Sequence, residues 1–167
     1  MQERRSVAAL KKLPRARVLG AVGVLAAVAA ADQLSKSLAQ GALESGDVHV
    51  LGPLDLELSY NPGVAFGLGR GLSPALVVAG VMIVVAVVAM TTSLRSRTTA
   101  TAAGLVAGGA VSNLADRLFR GHGGAVIDWI HLSHWPTFNV ADSCVVVGVG
   151  LLALNGYRAQ GSHSAQV

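Results

Sequence analysis

The segment FNVADSCVVVGVGLLAL, residues 138–154, decides how this chain is read. Most of it could dissolve in lipid, yet Asp142 sits four positions after Phe138, at the head of the apolar run. The chain says nearly the same thing earlier, in SNLADR at 112–117. Both segments read Asn-x-Ala-Asp, and each abuts an apolar stretch. The question is what a carboxylate does at such a place, and whether the two do the same thing.

Composition supports a membrane reading. The 167 residues are one domain's length, 52% hydrophobic and 13% charged, with mean hydropathy +0.55. A soluble domain carries about 25% charged residues. Aromatics are only 4%, so the apolar content is Val, Leu and Ala with many Gly, as in helices that pack closely in lipid. The lone cysteine, Cys144, excludes an internal disulfide and reads as a small buried hydrophobe. The net charge of +4 does not point to nucleic acid, because the basic residues flank apolar segments as membrane topology requires.

A span needs about 20 mostly apolar residues. Four segments qualify: approximately 18–39, 72–92, 99–119 and 138–157. The first, ending in AVAAAD at 27–32, also resembles a cleavable signal peptide. Three later spans, and a run that continues through Leu34 and Leu38, favour a retained helix. Nine of the 13 basic residues fall on one side: Arg4, Arg5, Lys11, Lys12, Arg15 and Arg17 before the first span, Arg95 and Arg97 between the second and third, Arg158 after the fourth. The positive-inside rule then puts both termini in the cytoplasm. After Glu3, every acid lies in the outer half. Three helices bring Asp32, Asp116 and Asp142 to about one depth, near the outer interface.

The outer connections differ. In LDLELSYN, 54–61, Leu alternates with polar residues, the period of a half-buried strand. With VHVL before it and Gly-Pro between, a small antiparallel element is expected over about 47–67. Open sheet edges do not occur in hydrocarbon, so it should lie on the outer surface. The connection 120–137 is short, Gly-rich at its start and interrupted by Pro136, and no separate soluble domain is expected. The ends, 1–15 and 158–167, are expected to be mobile. The expected architecture is an all-α membrane protein: one domain, 1–167, of four transmembrane helices with a small extracytoplasmic β-element.

An ionisable residue in a spanning helix usually faces the protein interior and marks function. Asp142, three after Asn139 at a helix start, can be read as dipole compensation or as chemistry. Asp116 lies near a helix C-terminus, where negative charge is unfavourable. An ion pair with Arg117 and a network with Arg120 would hold it, and a role in binding a polar backbone is the alternative. Asp128, in AVIDWI after the GHGG turn, is flanked by apolar residues and caps no evident helix. Paired with Asp142 it makes the most useful chemistry. Two carboxylates at a partly desolvated site cannot both ionise easily. One keeps a proton while the other draws a proton from water, which attacks a peptide carbonyl. No HExxH is present, and His131 with His134 is a weak zinc signal, so neither metal nor cofactor is expected. A Ser–Lys pair at Ser35 and Lys36 lies in no nucleophile motif. NPGVAFG, 61–67, reads either as a tight turn or as a cleft loop with Asn61 donating to a peptide.

The order of DQLSK at 32–36, NPGVAFG at 61–67, GGAVSNLADR at 108–117, VIDW at 126–129 and FNVADS at 138–143 resembles the successive signatures of the prolipoprotein signal peptidase (signal peptidase II) family. The resemblance covers roughly Asp32 to Ser143. It implies an intramembrane aspartyl endopeptidase of the bacterial cytoplasmic membrane, acting near the outer leaflet. Such an enzyme removes the signal peptide from diacylglyceryl-modified prolipoproteins, cutting before the lipidated cysteine. It implies Asp128 and Asp142 as the catalytic pair. Asn61, Asn113, Arg117 and Asn139 would contact substrate or cyclic peptide inhibitors such as globomycin. Asp32, Lys36 and Asp116 would give structural support. The partners implied are lipidated precursor and membrane lipid, with the enzyme acting as a monomer. Three positions depart from the family pattern: Ser112 where Gly is usual, Trp129 where Phe is common, and Pro62 where the family varies. A proton-coupled transporter using Asp32, Asp116 and Asp142 as a relay is the alternative. The acids cluster on one side, whereas a relay needs stations across the membrane. A noncatalytic scaffold for a lipidated partner is the third reading.

Overall fold

Three helices and one sheet make up the described residues, which are 15–63, 80, 83–84 and 96–164 of the computed structural model. Helix α1 runs Arg15–Leu43, strands β1 and β2 run Val48–Leu51 and Leu54–Asn61, and helix α2 runs Arg97–Phe119. Strands β3 and β4 run Val126–Leu132 and Trp135–Phe138, and helix α3 runs Val140–Ser164. The expected span 72–92 lies largely outside the described residues, as do the N-terminal basic segment and residues 64–67 of NPGVAFG.

Helices α1 and α3 are long and apolar enough to cross a membrane by length and composition. The first rises about 44 Å at 1.5 Å per residue, more than the hydrocarbon needs. Its C-terminal half carries Asp32, Lys36 and Gln40. Helix α3 continues as a helix to Ser164, beyond the candidate span Val140–Arg158.

Helix α2 packs against both α1 and α3. Small residues make this possible. A Cβ on Gly104 would stand 2.6 Å from Ala21 O, and one on Gly108 would stand 2.8 Å from Leu25 O. On the other flank, a Cβ on Gly109 would stand 2.5 Å from Ala141 O. No side chain fits at any of the three, so backbone meets backbone as in small-xxx-small membrane packing. The buried residues Ala21, Ala100, Ala103, Val106 and Ala107 form the core there.

The β-element is larger than expected. It is a four-stranded antiparallel sheet in the order β1-β2-β3-β4, and β3 and β4 lie beyond the expected bounds of 47–67, in the connection after α2. After α2, Gly121, Gly123 and Gly124 all take positive φ and reverse the chain. That reversal lays VIDWIHL beside LDLELSYN, with Ser59 opposite Asp128 and Asn61 opposite Val126. Pro136 is tolerated because β4 is an edge strand.

Candidate active site

The two favoured aspartates reach one site by different routes. Asp128 is on β3 and only 2% exposed. Asp142 is in the first turn of α3. Asn139, fully buried, joins them. Its Oδ1 accepts from the Asp142 amide at 2.9 Å, which caps α3, and its Nδ2 donates to Asp128 Oδ1 at 2.6 Å. The cap is thus Asn139, and the Asp142 carboxylate is left for other work. Asn61 Nδ2 donates to Asp128 Oδ2 at 3.1 Å, while its Oδ1 accepts from Gly63 N at 3.0 Å. The side chain therefore makes the tight turn and touches the carboxylate as well. Asn113 Nδ2 donates to Asp142 Oδ1 at 2.8 Å.

Burial first, and then the negative charge of Asp142, push the Asp128 carboxyl up to about 7, against the bonds from Asn61 and Asn139 and the charge of Lys36. A carboxylic acid that keeps its proton near neutrality can donate it. Beside the pair lies a cavity of about 380 Å³, bounded by Asn61, Asp142 and Ser143 and by apolar side chains that include Trp135, Phe138 and Val146. A largely apolar cleft with a few convergent polar groups is the usual form of a ligand site.

The remaining sequence candidates surround this pair. Lys36 is fully buried, with Nζ at 2.6 Å from Asp32 Oδ2, 2.7 Å from Asp116 Oδ2 and 2.9 Å from Asn113 Oδ1. Asp116 also pairs with Arg120 Nε at 3.2 Å. The expected Asp116–Arg117 pair is corrected. Neighbours on a helix point about 100° apart, whereas Arg120 lies one turn on. Arg117 instead donates to Gly63 O at 2.5 Å and to Asn113 O at 3.2 Å, and so ties α2 to the loop after β2.

Two contributors were not read from the sequence. Gln33, inside DQLSK, donates to Asp116 Oδ1 at 2.6 Å and accepts from Arg120 Nε at 3.1 Å. A glutamine has no charge to mark it, and only its place three residues before Lys36 could have drawn attention. The wall of Trp135, Thr137 and Phe138 was missed with strand β4 itself. Ser112, noted as a departure, fills its place usefully: its Oγ donates to Asp32 Oδ2 at 2.7 Å.

Long apolar helices, a four-stranded sheet and two aspartates held by a shared asparagine define the architecture. A solved bacterial membrane enzyme has this fold, with TM-score 0.77 over 85% of this chain and 90% of that one, at 23% identity. The model of the signal peptidase II family, Peptidase_A8, matches residues 24–158, and the chain belongs to that family. The lipoprotein signal peptidase of Rhodococcus jostii is 42% identical over 76% of this chain and 67% of its own length. That of Aquifex aeolicus is 38% identical over 74% and 77%, and that of Streptomyces coelicolor 36% over 86% and 72%.

Proposed function

We propose that this chain is an aspartyl endopeptidase that removes the signal peptide from diacylglyceryl-modified prolipoproteins, cutting before the lipidated cysteine. The observation that carries the reading is Asn139, which holds Asp128 by one end of its amide and the Asp142 backbone by the other, beside a largely apolar cleft. Membership of the signal peptidase II family supports the reaction. No relative reported above favours the transporter, and that reading is not carried further.

Asp142 acts as base. Asn113 donates to one of its oxygens, and the group borders the cleft, where a water can reach it. A water between the acids gives its proton to Asp142 as its oxygen attacks the scissile carbonyl carbon. Asp128, protonated near neutrality, gives its proton to the developing oxyanion. When the tetrahedral intermediate collapses, one of its hydroxyls returns its proton to Asp128, the C–N bond breaks and the proton taken by Asp142 goes to the leaving amine. No covalent acyl-enzyme forms. Asn61, Asn113, Arg117 and Asn139 line up the peptide, while the acyl chains of the lipidated cysteine stay in the bilayer and the apolar wall faces them. A cyclic peptide such as globomycin would compete for the same cleft. The protein works as a monomer in the bacterial cytoplasmic membrane, with both termini inside and the site near the outer leaflet.

The test is cleavage of a diacylglyceryl-modified precursor peptide by the purified chain in detergent with chelator, the cut mapped by mass spectrometry. Wild type should cut before the lipidated cysteine, while Asp128→Asn and Asp142→Asn fold and do not. Full activity in either variant would overturn the assignment of the pair.

A further inference from the structure

Two aspartates outside the pair make matching contacts. Asp32 Oδ1 accepts from the amide of Ala141, the residue before Asp142, at 2.8 Å. Asp116 Oδ2 accepts from the amide of Ile127, the residue before Asp128, at 3.1 Å. Both amides are buried. One lies in the first turn of α3, where helix geometry supplies no acceptor. The other lies at the start of β3. Both aspartates are in turn gripped by one ammonium, that of Lys36. Its third bond goes to Asn113 Oδ1. A lysine ammonium only donates. It therefore forces the oxygen of Asn113 toward itself and the amide nitrogen toward Asp142, as observed at 2.8 Å.

We propose that Lys36 is the positioning residue of the site: through Asp32, Asp116 and Asn113 it sets the backbone before each carboxylate and the donor on Asp142. This rests on the peptidase reading above and deepens it. Lys36, Arg120, Asp32 and Asp116 balance in charge, so nothing in the cluster demands a ligand. Its three bonds are divided among α1, α2 and, through Asp32 and Asp116, the two segments that bear the pair. Helices α1 and α3 and strand β3 would otherwise meet with no common reference. A shift of about 1 Å at reacting groups can cost about 100-fold in rate.

Lys36→Met alone leaves buried Asp32 without its cation and Asp116 with Arg120 alone, and is expected to fold poorly. The informative variant is Lys36→Met/Asp32→Asn, which restores neutrality. Asparagine at 32 still offers an oxygen to Ala141 N and can direct its NH2 to Ser112, since no ammonium competes for that side. Asp32→Asn alone is the second variant. There the amide must turn its NH2 either to the Ala141 N–H or to the Lys36 ammonium, so one contact is lost. Thermal midpoint, kcat and KM are measured for each with the lipidated precursor peptide, and protection of the Ala141 amide is followed by hydrogen exchange.

For the double variant the midpoint should return close to wild type, while kcat stays at least about 10-fold down and KM stays within about twofold. Asp32→Asn should lower kcat and speed exchange at Ala141. A double variant that folds and turns over at the wild-type kcat would overturn the proposal and leave Lys36 a structural cation only. So would a loss confined to KM, or an Asp32→Asn variant with both kcat and Ala141 protection intact. If wild type itself fails to cleave, the peptidase reading falls first, and the exchange data alone then decide whether the clamp exists.

Discussion

Asp116 and Asp142 hold the same place in twin Asn-x-Ala-Asp segments, at opposite ends of two packed helices. Asp116 closes α2 and Asp142 opens α3. Both oxygens of the Asp116 carboxylate are engaged: Oδ1 accepts from Gln33 and pairs with Arg120, and Oδ2 pairs with Lys36 and accepts from Ile127. Asp142 takes one side-chain donor, Asn113, and borders the cavity. Among the described residues nothing else donates to its side chain. The difference teaches that the motif does not fix the role. A carboxylate with every lone pair engaged is a joint, and one with a free oxygen beside a cleft can take up a proton. The largest expected effects separate the two. Asp142→Asn should reduce cleavage about 100- to 10,000-fold, the range of a lost general base, with the melting midpoint nearly unchanged. Asp116→Ala should destabilise by about 3–5 kcal/mol, as expected when one partner of a buried pair is removed. A stable Asp116→Ala protein, measured by thermal melting in detergent, would break the distinction.

The pH response sharpens it further, through Asp128. With Asp128 held up to about 7, cleavage that needs its proton should fall as pH rises through about 7, and about 10-fold per unit above that. The same shift acts on stability. Folded Asp128 binds its proton up to about 7, whereas the unfolded group releases it near 3.8. This group therefore favours the fold less as pH rises from about 4 to about 7, and its contribution is flat above. Asp128→Asn removes that slope, so the gap in melting midpoint between variant and wild type should move in the variant's favour from pH 5 to pH 8. A pH-independent gap would show that Asp128 is not perturbed.

The twin segments touch at Gly109, one turn before Asn113. The absent Cβ there would meet Ala141 O at 2.5 Å and Val145 Cγ2 at 2.7 Å. Gly109→Ala should wedge α3 from α2, costing about 1–3 kcal/mol by overpacking. It should also lower kcat, since Ala141 precedes Asp142. If only stability falls, the alignment of the two segments tolerates more shift than the close packing implies.

Much of this was legible before any coordinates. Apolar run length gave the ends of the helices α1 and α2 to within a few residues, although of these two α1 alone is long and apolar enough to cross a membrane. Asp32, Asp116 and Asp142 were grouped on the expected topology, and the bonds through Lys36 and Ala141 join the helices that carry them. What was not legible came from pairing at long range. VIDWIHL is too apolar to alternate, because the start of β3 is buried on both faces, so period two never showed. WPTF looked like a loop because proline hides an edge strand. The partner of Asp116 was misread as Arg117 because sequence adjacency was taken for spatial adjacency. Lys36 lies 80 residues earlier in the chain, and no local rule connects them.

The smallest expected effect lies at the residue after each aspartate. Arg117 spans from α2 to Gly63, whereas Ser143 merely bonds back to Asn139 O at 3.1 Å, one turn earlier in its own helix. Such a back-bond contributes little to a helix and competes with the ladder. Yet Ser143 borders the cavity and sits beside Asp142, where a serine nucleophile could be imagined. Its hydroxyl proton is committed to a backbone carbonyl, so no base is poised to remove it, as nucleophilic serine chemistry requires. Ser143→Ala should therefore leave kcat within about twofold and alter KM slightly, through the lost polar edge of the cleft. A fall of about 100-fold in the same assay would move the chemistry from the carboxylates to the hydroxyl, and the contrast between the twin segments would have to be drawn one residue later.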